Sequence, residues 1–125
     1  MVLIAVIVSI VLLAALSVLQ LMVAAGLPYG RLVWGGGHRV LPRGLRVGSA
    51  ISVLVYAAFA WVLLARAGAL EGDESTVVVV LTWVLLGYFV VGTMMNLISR
   101  SRAERLVMTP TCAALAVATL IVALS

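Results

Sequence analysis

The sequence predicts an all-α membrane protein, a four-transmembrane-helix antiparallel bundle with both termini on the non-cytoplasmic side. Three observations carry that expectation. First, the 125 residues are 66% hydrophobic and only 10% charged, with a mean hydropathy of +1.33. Soluble domains lie far from these values, so the chain needs lipid as its solvent. Second, the chain holds four apolar runs without Asp, Glu, Lys or Arg, each close to the roughly 20 helical residues that cross about 30 Å of hydrocarbon. Third, the arginines gather in two of the three connections between those runs.

The first run covers residues 2–25. An h-region of a secretory signal is about 7–15 residues and follows a positive segment. This run is longer and has no such segment before it, so it is expected to be a retained span. The second covers residues 47–65, the third 76–98 and the fourth 107–124, all within one domain, 1–125. They are apolar throughout rather than alternating, and an open sheet leaves its backbone unsatisfied in lipid, so each is expected to be a helix. The β-branched run Val77 to Val80 carries only a weak propensity against that. Pro28 ends the first helix after Gly26, and Pro110 is expected in the first turn of the fourth, where a missing N–H costs little.

Charge sets the orientation. The loop from Gly26 to Arg46 holds Arg31, Arg39, Arg43 and Arg46, and the loop from Ser99 to Leu106 holds Arg100, Arg102 and Arg105 against Glu104, leaving the two at +6. The remaining connection sets Arg66 against Glu71, Asp73 and Glu74 and nets −2, which completes the chain's +4. Short basic loops stay in the cytoplasm, and a centred arginine costs about 2.5–3.5 kcal/mol on insertion scales. Both basic loops are therefore expected inside. Tyr29, Trp34, Trp61 and Trp83 suit headgroup depth or helix contacts. All eight basic residues are arginine, and with the abundance of Ala, Val, Leu and Gly this points to a GC-rich bacterial genome and the bacterial cytoplasmic (inner) membrane.

A net charge of +4 and a pI near 10.2 raise nucleic acid as a partner, but the chain has no basic face interleaved with aromatics to bind it. The anionic inner leaflet is the expected counterion for Arg31, His38, Arg39, Arg43, Arg46, Arg100, Arg102 and Arg105. The stretch "GGGHRVLPRGLR" also admits a phosphate nest, since successive glycines can turn N–H groups toward an anion and arginines grip phosphate. Neither GxGxxG after a strand nor GxxxxGK[ST] is present, so nucleotide cradling has no support. His38 is the only histidine and Cys112 the only cysteine. No disulfide within the chain, no metal site and no cofactor is therefore expected. His38 could act as a base only by meeting Glu104 across the molecule.

Small residues mark the packing. Gly44, Gly48 and Ser52 recur every four residues and continue into Tyr56 and Ala60, a row that lets another backbone come close. Cys112, Ala113, Ala116 and Thr119 give the fourth span a matching surface, and Gly87 and Gly92 do so for the third. Tyr88, Gly92, Asn96 and Arg100 fall on one helical face, with Asn96 expected to hydrogen-bond a neighbouring helix. Met94 and Met95 read as gap fillers. Ser99, Ser101 and Glu104 are expected to cap the connection they sit in. Gln20, Ser17, Thr82 and Thr93 are the polar groups left for a ligand inside the spans. No ionisable acid or base lies deep in any of the four runs, and such groups mark proton coupling and ion pathways.

At "WGGGHRVLPRGLRVGS" and "MNLISRSRAERLVMTP" the chain resembles a family of small bacterial four-span integral membrane proteins of unassigned function, over nearly its whole length. The resemblance implies the four-span architecture and the cytoplasmic membrane; it brings no activity, cofactor or catalytic residue. The expected function is an interaction or assembly protein of the inner membrane, with a second copy of the chain or another membrane protein as partner and no catalytic site. The alternative is an oligomeric small transporter or pore for a small or apolar substrate. A lipid-acting enzyme built on His38 and Glu104 has the least behind it, because no nucleophile or paired carboxylate accompanies them.

Overall fold

A computed structural model of the protein describes residues 1–69 and 75–125. It contains four long helices, α1 (Val2–Ala24), α2 (Arg43–Arg66), α3 (Thr76–Leu97) and α4 (Arg102–Ala123), and no strand among the described residues. All four are long and apolar enough to cross a membrane. They coincide with the four predicted runs along most of their length.

The differences lie at the arginine-bearing ends. Helix α2 begins at Arg43 rather than at residue 47, after Pro42 in extended backbone. Helix α4 begins at Arg102 rather than at residue 107, behind the N-cap Ser101, whose hydroxyl accepts from the Glu104 N–H at 3.3 Å. Both shifts have one cause. Arginine is a good helix former, so the helices run on past the apolar segment into their charged flanks. The observed boundaries correct the sequence reading at three points. Arg43, Gly44 and Arg46 are helical residues rather than loop residues. Pro110 is interior to α4 rather than in its first turn. Its missing N–H removes one rung there, and the Thr111 hydroxyl donates to the Val107 carbonyl at 2.7 Å. Finally, α3 ends at Leu97, so Arg100 lies in the turn after it and not on its polar face.

Helix α1 packs on α2 and α4, α3 packs on α4, and α2 closes more loosely on α3. The core between them is built by Leu13, Leu63, Leu85, Phe89, Leu115 and Val122. Phe59 sits at the centre of an aromatic group, its ring centroid 5.1 Å from Tyr88, 5.8 Å from Phe89 and 6.2 Å from Tyr56. Polar side chains inside are mostly turned back on their own helices: Ser9 donates to Ala5, Ser17 to Leu13, Thr82 to Val78 and Thr93 to Phe89, each at 2.8 Å. Outward faces carry exposed Leu3, Leu54, Val84 and Met94. A soluble protein of this size would not leave such area in water, and such a surface is compatible with helices that cross a membrane.

Arg66, at the end of α2, donates to the carbonyls of Ala123 at 3.4 Å and Ser125 at 2.7 Å, fastening α2 to the end of α4. Glu71, Asp73 and Glu74, which set the net charge of this connection against Arg66, lie outside the described residues.

Candidate functional site at the arginine-rich end

The connection between α1 and α2 is a folded element. It contains two short 3₁₀ turns, Gly30–Leu32 and Trp34–Gly36, and it has its own apolar anchor. Val33 and Leu41 are buried against Val23 at the end of α1, with Leu19, Leu32 and Leu45 around them. Burying those side chains stabilises by roughly 1.5–3 kcal/mol each, enough to hold a connection otherwise rich in glycine and arginine. The Gly30 N–H donates to the Arg39 carbonyl at 2.8 Å, closing the segment on itself.

From that anchor the chain reaches both neighbouring helices. The Trp34 indole N–H donates to the Ser49 hydroxyl at 2.9 Å, and a side-chain carbon on Gly48 would lie 3.0 Å from the indole ring. Gly48 is thus the floor on which Trp34 rests. Trp34 pays in backbone strain, with φ +52°, a left-handed conformation that costs a non-glycine residue about 1–2 kcal/mol. Two residues on, Gly36 has φ +71°, and a Cβ there would overlap Ser101. Only glycine fits that contact.

These turns bring the two basic connections together. The Gly35 N–H donates to a Glu104 carboxylate oxygen at 3.0 Å, and the Ser101 hydroxyl donates to the Arg31 carbonyl at 2.6 Å. Glu104 is only 6% exposed. Gly35 supplies the one hydrogen bond its carboxylate receives from the described residues, and no arginine among them pairs with it. Two open pockets flank the contact. One, of about 500 Å³, is lined by Trp34, Gly35, Met95, Asn96, Ile98, Ser99, Arg100 and Glu104. The other, of about 400 Å³, is lined by Arg31, Gly35, Gly36, Gly37, Arg100, Ser101, Arg102 and Ala103. Gly35 and Arg100 belong to both.

The expected lipid-facing basic residues separate into two groups. Arg31, Arg39, Arg43, Arg100 and Arg102 are exposed, as is His38. Arg46 instead donates to the Ala24 carbonyl at 2.8 Å, capping the end of α1, and Arg105 donates to the Ser99 carbonyl at 2.9 Å after α3. Cations are favoured at helix C-termini, and these two are engaged there rather than free. No hydrogen bond among the described residues joins His38 to Glu104; the carboxylate expected across the molecule is held by Gly35 instead.

The small residues separate in the same way. Gly48 packs under Trp34, and a Cβ on Gly92 would lie 3.6 Å from the Cys112 sulfur. Asn96 donates to that sulfur at 3.3 Å across α3 and α4, the interhelical bond expected of it. The Ser52 hydroxyl turns back to the Gly48 carbonyl at 3.0 Å. Gly44 and Gly87, also expected to pack helices, have open space where a side chain would stand.

Sequence reasoning missed Val33, Leu41 and Ser49. The first two carried a signal, since a solvated basic loop has no need of buried-size apolar residues at intervals; Ser49 carried none. Compared with known proteins, the chain matches no family model, no curated protein and no solved structure.

Proposed function

We propose that the protein is a multi-pass integral protein of the bacterial cytoplasmic membrane, an antiparallel bundle with both termini outside, that acts as an interaction or assembly protein and holds anionic lipid through its basic end. The observation that carries this reading is the union of the two basic connections through Gly35–Glu104 and Arg31–Ser101. It gathers Arg31, Arg39, Arg43, Arg100 and Arg102 at one end of the molecule, while the helices beyond present apolar surface. A basic cluster beside a span is worth about 1 kcal/mol per arginine at an anionic leaflet. Gly44 and Gly87, uncovered by the described residues, leave two places where another helix backbone can come close.

The polar atoms on which a transporter or pore would draw support that reading less. Ser17, Thr82 and Thr93 are spent on their own helices, and Gln20 donates to Tyr56 at 3.3 Å.

The test is purification of the full chain in mild detergent followed by native mass spectrometry against phosphatidylglycerol and phosphatidylcholine of matched acyl chains. Retention of phosphatidylglycerol over phosphatidylcholine, reduced when Arg31, Arg39 and Arg43 are changed together to Gln, supports the reading. Equal retention of the two lipids overturns it.

A further inference from the structure

The pocket beside Glu104 has the wrong chemistry for an anion alone. Glu104 is 94% buried as a residue and has no cation paired to it among the described residues, while its carboxylate lines the open pocket. One of its oxygens takes the Gly35 N–H, and the other accepts nothing from the described residues. Asn96, on the same wall, spends its amide N–H on Cys112, so its carbonyl oxygen is also uncommitted. Glu104 and Asn96 therefore offer acceptors and negative charge in a pocket that Arg100 also lines, and they call for an N–H donor carrying positive charge.

A free amine or metal cation would gain the carboxylate but meet an end of the molecule whose two connections sum to +6. Inorganic phosphate would gain the arginines but meet Glu104. A zwitterion with ammonium and phosphate a few ångströms apart satisfies both, and the two pockets are contiguous at Gly35 and Arg100. The carboxylate pocket also opens beside Met95 and Ile98, which are 61% and 74% exposed, an apolar lip continuous with the outward face of α3.

Resting on the reading that this end meets lipid headgroups, we propose that the site binds a phosphoethanolamine headgroup. Its ammonium is received by Glu104 and Asn96, and its phosphate by Arg100 with Arg31 and Arg102. A quaternary ammonium such as choline has no N–H to give these acceptors and is discriminated against.

Native mass spectrometry of the full chain with phosphatidylethanolamine, phosphatidylcholine and phosphatidylglycerol of matched acyl chains tests this. The wild type is expected to bind phosphatidylethanolamine about tenfold more tightly than phosphatidylcholine, the worth of one charge-assisted hydrogen bond. Glu104→Gln keeps a carbonyl for the Gly35 N–H but replaces the other carboxylate oxygen with an uncharged NH2 donor; it should melt no lower than the wild type and lose the tenfold preference. Arg100→Ala should weaken phosphatidylethanolamine and phosphatidylglycerol alike. Absence of the preference in the wild type, or its survival in Glu104→Gln, overturns the site. If the phosphatidylglycerol preference persists in that case, the broader headgroup reading stands without it; if that preference is also absent, both fall. Added glycerophosphoethanolamine identifies the source of the ligand. Displacement of the bound lipid marks the free headgroup ester as sufficient, and no displacement with the preference intact marks the membrane lipid.

Discussion

At the scale of single residues, the basic end depends on three consecutive backbone conformations that side chains do not ordinarily adopt. Trp34, Gly35 and Gly36 all have positive φ, and together they turn one N–H to Glu104 and bring Arg31 to Ser101. Gly36→Ala adds left-handed strain and an overlap with Ser101, so it should destabilise the protein by about 1–3 kcal/mol. Thermal unfolding in detergent reads this, and an unchanged midpoint would show that the contact with α4 contributes nothing. Gly35→Ala provides the control within the same turn. It carries a similar φ of +75° but has open space for a Cβ, so it should suffer the strain without the overlap and lose less. That successive glycines could turn an N–H toward an anion was legible in advance; which anion, and through what backbone, was not. The sequence shows that Glu104 is the single carboxylate near the arginines, but not that a strained tryptophan would carry a glycine N–H to it. A base at His38 required Glu104 to reach it, and the local backbone gives that carboxylate the Gly35 N–H instead.

At the scale of elements, the four spans were legible because burial in lipid needs only a run of apolar residues, a property readable without knowing any partner. Helix starts were not, because arginines contribute to helix propensity while failing every test of apolarity. That one-turn error left Gly44 outside the second span; on α2 it stands one turn before Gly48, and the neighbours of the two can be compared. Gly48 lies against Trp34 and Gly44 against nothing. Gly48→Leu should therefore displace the indole, release the Ser49 bond and lower stability by about 1–3 kcal/mol, the usual range for overpacking. Gly44→Leu should leave the fold unchanged. If Gly44 meets another helix in the membrane, the same substitution should also reduce recovery of an oligomer or partner on crosslinking in intact cells, a readout that folding alone does not move. Equal loss of stability in the two variants would place Gly44 inside the bundle, contrary to the packing seen.

At the scale of the whole molecule, charge and contact bear independently on which connections share a side. The arginine count puts 26–46 and 99–106 together by the cost of moving guanidinium groups through hydrocarbon. The hydrogen bonds from Gly35 to Glu104 and from Ser101 to Arg31 join the same two segments without reference to a membrane. Contact fixes that they lie at one end; only the sign of the charge says which end faces the cytoplasm. Single cysteines at His38, Ala103 and Ser75, all exposed positions, separate the two statements when placed in a Cys112→Ala background and treated with a membrane-impermeant maleimide on intact cells. Residues 38 and 103 should be protected until the cells are permeabilised, and residue 75 should label at once. Labelling of 38 and 103 at once with 75 protected would leave the bundle intact and invert its orientation, moving the headgroup site to the outer leaflet. Opposite behaviour of 38 and 103 would contradict the Gly35–Glu104 contact, and with it every assignment made at the basic end.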